Sequence, residues 1–168
     1  MEACRPAAPR DLERVAALAR EMRAELEVMR GGAVWAAREA RPEPLVDGYA
    51  GLLDRADARL IVGTIDDVIV GFGAAQIERL RDGTVLGVVT DLFVEPPARA
   101  IGVGETINDD LIGFCRGHQC IGIDAWALPG HRATKNFFEE SGFTARAIIM
   151  HHRLDETASE SEDEPADG

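Results

Sequence analysis

The sequence has few cysteines and no long apolar run. Its three cysteines, at positions 4, 115 and 120, form no Cys-x-x-Cys pair. This argues against a disulfide framework and a cysteine-rich zinc site, and it indicates a reducing compartment. No apolar stretch approaches the roughly 20 residues that span a membrane, and the first residues lack the basic-then-apolar pattern of a secretory signal. We therefore expect a cytoplasmic protein without a metal or a membrane partner.

Basic residues are scarce relative to acidic ones. The chain of 168 residues has 18 Lys and Arg against 30 Asp and Glu, a formal net charge of −12. Nucleic-acid binding depends on cationic side chains that neutralise phosphates, so this balance disfavours it. Seven of the acidic residues lie in 155–168, where no apolar residue is larger than alanine. Such a segment cannot add to a core, and we expect one domain over 1–154 followed by a disordered acidic tail.

Helical and extended periodicities alternate along the chain. Apolar residues at helical spacing predict helices at about 12–30, 33–40, 44–56, 102–118 and 131–141. Branched residues bounded by turn signals predict strands at 3–9, 59–64, 68–80, 85–94, 120–127 and 145–154. Three successive strands joined by tight turns form an antiparallel meander, and the later strands alternate with helices. This order indicates an α/β (α+β) fold with a mixed, mainly antiparallel sheet and helices on both faces.

The segment 94–104 contains a candidate anion site. It leads from a predicted buried strand through two prolines and an Arg-x-x-Gly-x-Gly sequence into a predicted helix. Glycines at a helix start allow close approach of a ligand, and the free amide hydrogens and helix dipole favour a pyrophosphate. A P-loop is excluded because no Gly-Lys-Ser/Thr is present. Ile107 occupies the third glycine position of a dinucleotide-binding fingerprint, which excludes that motif as well.

Two patterns in the sequence match those of a known family. The pattern Val-x-Pro-x-x-Arg/Gln-x-x-Gly-x-Gly/Ala is matched by Val94, Pro96, Arg99, Gly102 and Gly104. The pattern Asn-x-x-Ala-x-x-Phe-Tyr-x-x-x-Gly-Phe is partly matched by His131, Thr134, Phe137, Phe138, Gly142 and Phe143. On these residues, and on the order of predicted elements from about 3 to 154, the chain resembles the GNAT superfamily of acyl-CoA-dependent N-acyltransferases.

The resemblance implies a GNAT-like sheet of six to seven strands that is splayed at its centre. The pantetheine arm of acetyl-CoA would lie in the gap and bond the main chain, while the amides of the glycine turn would hold the pyrophosphate. No metal is implied, and the second substrate would be a small amine or a protein amine. The cofactor-binding residues implied in this way are Leu92, Phe93, Val94, Arg99, Ala100, Ile101, Gly102, Val103, Gly104, Glu105, Thr106, His131, Thr134 and Phe138.

The catalytic groups are less completely specified. By family analogy, the backbone amide of Leu92 would polarise the acetyl carbonyl. Phe138 stands where many family members have a tyrosine that protonates the departing thiolate, so water or His131 would have to supply that proton. The base that accepts the amine proton stays open among three carboxylates, namely Asp91, Glu78 and Asp124. The alternative is a neutral fraction of the amine with a chain of water molecules. Strand alternation sets Asp91 on the face opposite Leu92 unless a bulge intervenes.

These features favour an enzyme that transfers an acetyl group from acetyl-CoA to a primary amine by direct attack in a ternary complex. The alternative is a catalytically weak or inactive acyl-CoA-binding regulatory module, because Phe138 cannot donate a proton and no base is evident. The single predicted terminal strand leaves the acceptor side open or requires a second subunit to complete it. A homodimer is therefore a further possibility.

Overall fold

The fold is a mixed β-sheet with helices packed against both faces. The computed structural model describes residues 1–155, and within them five strands are present. The strands are β1 (Glu2–Pro6), β2 (Ala58–Ile65), β3 (Val68–Arg79), β4 (Val85–Val94) and β5 (Ile123–Ala125). The α-helices are α1 (Leu12–Glu27), α2 (Gly32–Arg38), α3 (Leu45–Leu53), α4 (Val103–Gly117) and α5 (Arg132–Glu140).

The sheet order follows the order of the strands in the chain. Strands β1 to β4 pair as antiparallel neighbours, and β5 runs parallel to β4 at the far edge. Strand β5 pairs with β4 only through three residues, Gly87, Val88 and Val89. Strand β4 continues to Val94, and from Thr90 onward no residue among 1–155 pairs with it on the β5 side. The predicted mixed sheet is confirmed, and it splays between β4 and β5, beside its edge rather than at its centre.

Two hydrophobic clusters show that both faces of the sheet are covered. The cluster beneath α1, α2 and α3 contains the fully buried Val62 and Phe72. The cluster beneath α4 contains the adjacent strand residue Ile61, together with Ile107 and Leu111 of the helix. Because neighbouring residues of a strand point to opposite faces, alternating apolar positions in β2 and β3 supply both clusters.

Helix α4 approaches the sheet closely because glycines face it. A Cβ atom on Gly63 would lie 2.5 Å from Cγ1 of Val103, and one on Gly73 would lie 2.5 Å from Cγ2 of Ile107. Real Cβ atoms do not approach so closely, so any larger residue would push the helix away. The glycines therefore determine where the start of α4 lies relative to β4.

A bulge in β4 reverses the direction of its side chains. Ala74 faces Asp91 while Ala75 faces Val89, so Thr90 is the extra residue on β4. Val89 packs with the α4 cluster, whereas Asp91 is bonded to Tyr49 on the α1–α3 side. Without the bulge, Val89 and Asp91 would lie on the same face of the sheet, because side chains alternate along a strand.

The last predicted strand is not formed. Residues 145–154 carry neither helix nor strand, and the large apolar side chains of Ile148, Ile149 and Met150 are exposed. β-branched residues favour a strand only where a neighbouring strand receives their hydrogen bonds and packs on them, and this segment has no such neighbour. Strand β5 is likewise shorter than predicted, so the described residues have five strands rather than six or seven. The predicted disordered tail lies, apart from its first residue, outside the described residues.

Candidate active site

A cavity of about 380 Å³ opens where β4 and β5 diverge. One wall is formed by β4 from Val89 to Val94, and the residues after β5, from Trp126 to Leu128, face it. The C-terminal half of α1, the glycine turn before α4 and the helix α5 complete the lining. The predicted gap between the two strands is thus a space large enough for a ligand.

The exposed edge of β4 supplies main-chain groups to this cavity. Leu92, Phe93 and Val94 line the cavity at the part of β4 that lacks a partner on the β5 side. The carbonyl of Val94 accepts a hydrogen bond from Nε of Arg99 at 2.9 Å. A strand edge with unpaired groups is a template for an extended ligand, as it is for an added strand.

The glycine turn takes up conformations that bring backbone amides to the cavity. Gly102 caps α4 with φ +93°, and Ala100 has φ +64°. Gly104 lies in the first helical turn, and a Cβ atom there would lie 3.3 Å from the ring of Phe137. The first amides of a helix have no acceptor within the helix, so this turn offers free donors beside the opening.

Most of the residues predicted to bind the cofactor meet at this cavity. The lining includes Leu92, Phe93, Val94, Arg99, Ala100, Gly104, Glu105, His131, Thr134 and Phe138. The other four predicted residues, Ile101, Gly102, Val103 and Thr106, do not line it. The side chain of Val103 is fully buried, and the hydroxyl of Thr106 donates to the carbonyl of Gly102 at 2.8 Å. Any contact of these two with a ligand would have to come from their main chain.

Asp91 is buried and its carboxylate is held by three side chains. The hydroxyls of Tyr49 and Thr90 each donate to it at 2.8 Å, and Nη2 of Arg41 lies 3.3 Å from Oδ2. Burial, followed by the charge of Asp91, raises the pKa of Tyr49, which keeps its hydroxyl protonated as a donor. Both oxygens of the Asp91 carboxylate thus have partners within the protein.

The two other candidate bases lie outside the cavity. Glu78 is exposed on β3 opposite Leu86, at the end of the ladder remote from the unpaired edge of β4. Asp124 lies on β5 and accepts a hydrogen bond from Nε of Arg146 at 2.7 Å. Neither residue lines the cavity, so of the three carboxylates the structure brings only Asp91 to it.

A polar network in the cavity was not predicted from the sequence. Glu25 on α1 accepts a hydrogen bond from Nη2 of Arg99 at 2.6 Å, and its other oxygen lies 3.1 Å from Nε2 of His131. The hydroxyl of Thr134 bonds the second ring nitrogen, Nδ1, of His131. Burial acts to raise the pKa of Glu25, but the bond and charge of Arg99, together with His131, outweigh it and lower that pKa. The sequence feature that could have indicated Glu25 is its position three residues after Met22, beside the apolar stripe of α1.

Phe138 is buried at the cavity wall among other aromatic rings. Its ring packs at 5.4 Å from that of Phe137 and at 5.0 Å from that of Phe143. Tyr49, the only tyrosine of the sequence, is fully buried and donates its hydroxyl to Asp91. None of the described residues that line the cavity therefore supplies a phenolic proton.

No group of three or more His, Cys, Asp or Glu side chains in residues 1–155 could hold a metal ion. No helix among these residues is long and apolar enough to cross a membrane.

A mixed sheet with a ligand-sized gap between its last two strands, beside a glycine turn at a helix start, is the type of fold that the two sequence patterns implied. The family model for the acetyltransferase (GNAT) family matches residues 16–143. The chain therefore belongs to the GNAT family, and the resemblance seen in its two sequence patterns is confirmed.

Solved structures share this fold at low sequence identity. A Trypanosoma brucei acetyltransferase is 22% identical, with a TM-score of 0.64 over 92% of this chain and all of the other. The glucosamine-6-phosphate N-acetyltransferase of Arabidopsis thaliana is 18% identical, with a TM-score of 0.66 over 92% and 99% of the two chains. AAC(6′)-Iy, solved with a bisubstrate analogue of CoA and acetylneamine, is 16% identical, with a TM-score of 0.71 over 92% and 99%. Among curated protein sequences, none matches this chain.

Proposed function

We propose that this protein transfers an acetyl group from acetyl-CoA to a primary amine, by direct attack of the amine in a ternary complex. The observation that carries the proposal is the unpaired edge of β4, from Thr90 to Val94, which faces the cavity beside the glycine turn. Membership of the GNAT family supports it. One solved relative is a glucosamine-6-phosphate N-acetyltransferase, and another, AAC(6′)-Iy, was solved with a bisubstrate analogue of CoA and acetylneamine. Both support an amine acceptor.

Acetyl-CoA would enter as a substrate and supply a thioester carbonyl. In the transfer a carbon–nitrogen bond forms and the carbon–sulfur bond breaks, the nitrogen loses a proton, and the sulfur leaves as a thiolate. We propose that the edge of β4 at Leu92 and Val94 holds the extended arm and that the amide of Leu92 stabilises the oxyanion. The amides from Ala100 to Glu105 and the side chain of Arg99 would bind the pyrophosphate.

The side chains that line the cavity indicate how the amine loses its proton and how the thiolate leaves. Asp91 is the one candidate base on the cavity wall, but its three donors indicate that it holds Thr90 and the bulge in position rather than accepting the proton itself. We propose that water removes the amine proton. A thiol has an ordinary pKa of about 8.5, so a thiolate can leave without the family tyrosine that Phe138 replaces. His131 and Thr134 line the cavity and would contact the arm.

Acetyl-CoA binding is the first test of this function. We expect isothermal titration calorimetry to give a single site per chain, with a dissociation constant in the micromolar range. A thiol-release assay with a panel of primary amines should then show turnover. Absence of binding at hundreds of micromolar would overturn the proposal. Binding without thiol release from any amine would instead support the alternative of a regulatory acyl-CoA-binding module, which the missing phenolic proton favours.

We also propose that two copies of the chain associate along β5. Its outer edge has no strand partner among residues 1–155. The segment 145–154 contacts β5 through Arg146 and Asp124, and it exposes Ile148, Ile149 and Met150. An edge strand beside exposed β-branched residues favours pairing with another chain. Light scattering after gel filtration should give twice the chain mass of 18.2 kDa, and a monomer over the whole concentration range would refute the dimer. A cytoplasmic location stays a prediction from the cysteine pattern.

A further inference from the structure

Glu25 holds a distinctive position among the carboxylates of the cavity. Its side chain is 23% exposed, and both of its bonding partners come from segments that the proposed function assigns to acyl-CoA. Arg99 belongs to the glycine turn, and His131 precedes α5. Asp91, by contrast, is held by three donors of the protein's own core, and Glu105 lies in the first turn of α4. Glu25 is therefore the carboxylate whose partners a ligand would draw away.

Arg99 connects two walls of the cavity, the edge of β4 and the helix α1. Its Nε donates to the carbonyl of Val94 at 2.9 Å, and its Nη2 donates to Glu25 at 2.6 Å. The guanidinium carbon lies 5.4 Å from the centre of the Phe93 ring. The arm of acyl-CoA would need that same carbonyl of Val94, and a pyrophosphate attracts a guanidinium more strongly than a single carboxylate does. Acyl-CoA and Glu25 therefore compete for the guanidinium of Arg99.

Departure of Arg99 would leave Glu25 partly buried without its principal cation. A carboxylate in that condition is unfavourable unless another cation replaces the first. The cavity has polar groups such as Thr90 and Thr134, but it also has an apolar part. Met22 and Leu26 line it from the same helix as Glu25, and Trp35 and Leu128 line it as well. A protonated amine attached to an apolar group matches such a site, with its charge on Glu25 and its body against these walls.

We propose that Glu25 binds the ammonium group of the acceptor and that Arg99 occupies this site until acyl-CoA draws it away. The inference rests on the proposed function and names the acceptor class as a primary amine carrying an alkyl or aryl group. Polyhydroxylated or phosphorylated amines would place polar groups against Met22, Leu26 and Trp35, whose side chains accept no hydrogen bonds from them. Acyl-CoA and amine then bind with positive coupling, and the coupling is reciprocal.

Calorimetry with phenethylamine as the probe tests this exchange without relying on turnover. For the unmodified protein we expect saturating CoA to tighten phenethylamine binding about 10-fold or more, within the usual range of coupling between sites. In Glu25→Gln, phenethylamine binding with CoA present should weaken at least about 10-fold, while CoA binds as tightly as before or more tightly. In Arg99→Gln, phenethylamine should bind without CoA, and CoA should no longer tighten it.

Glu27→Gln is the matched control, because Glu27 lies on the same helix with an exposed side chain and pairs with Arg23 rather than with the cavity. It should behave as the unmodified protein does. Unchanged phenethylamine affinity in Glu25→Gln, with CoA bound, would overturn the inference and leave the proposed function intact. Failure of CoA to bind the unmodified protein would overturn both. Equal affinity for ethanolamine or glucosamine would overturn the assignment of an apolar acceptor.

Discussion

Gly104→Asp is expected to abolish acetyl-CoA binding while the protein stays folded. Gly104 lines the cavity in the first turn of α4, and a Cβ atom there would contact Phe137 at 3.3 Å and Val94 at 3.8 Å. The added carboxylate would stand beside the proposed pyrophosphate. Two like charges about 4 Å apart near a protein surface repel by about 4 kcal/mol, which corresponds to a roughly 1,000-fold loss of affinity.

The same change should not harm the helix. Aspartate has a better helix propensity than glycine, and a negative charge in the first turn interacts favourably with the helix dipole. Gly113→Asp is the matched control, because Gly113 lies on α4 with nothing within 4 Å of an added Cβ atom. Calorimetry with acetyl-CoA and circular dichroism on both variants are the measurements. Affinity within threefold of the unmodified protein in a folded Gly104→Asp variant would refute a pyrophosphate site at this turn.

Asp91→Asn is expected mainly to lower the free energy of unfolding, rather than to impair thiol release. The carboxylate is buried, and it forms an ion pair with the guanidinium of Arg41 inside the fold. Removing one member of a buried ion pair costs about 3 kcal/mol, at the lower end of the usual range because Arg41 keeps some solvent contact. Urea unfolding should show this loss as a lower midpoint with an unchanged slope.

Two further variants separate a structural role of Asp91 from a catalytic one. Tyr49→Phe removes one donor to Asp91 and should cost about 1–3 kcal/mol, because it leaves a buried carboxylate oxygen less satisfied. Asp124→Asn, at the candidate base whose partner Arg146 lies at the surface, should change stability little. Retained stability with lost thiol release in Asp91→Asn would show instead that Asp91 is the base.

Some parts of the site were predictable because they depend on neighbours in the chain. The glycine turn is local, since Gly102 and Gly104 determine the turn and the helix start within a few residues. The meander from 59 to 94 is also local, because tight turns join strands that pair with their sequence neighbours. The bulge at Thr90 and the length of β5 are different. They depend on which strand lies beside each residue, and neither alternation nor propensity specifies that.

The network around Glu25 could not be predicted from the sequence either, because its members are far apart in the chain. Arg99 and His131 lie 74 and 106 residues further along the chain, and each has an ordinary local explanation as a turn or helix-start residue. The contacts of Asp91 with Tyr49 and Arg41 are also long-range. Tyr49 lies on α3, and Arg41 lies just before that helix. Charged side chains acquire specific partners only when distant elements are packed together.

The amino-acid order alone determined the family, the succession of helices and strands as far as α5, and the turn proposed to bind phosphate, because each depends on residues close together in the chain. Packing decided which of three carboxylates reaches the cavity, whether residues 145–154 join the sheet, and that Arg99 lies against Glu25. These outcomes are contacts between elements far apart in sequence, and their energies come from burial and charge pairing, which exist only in the assembled fold.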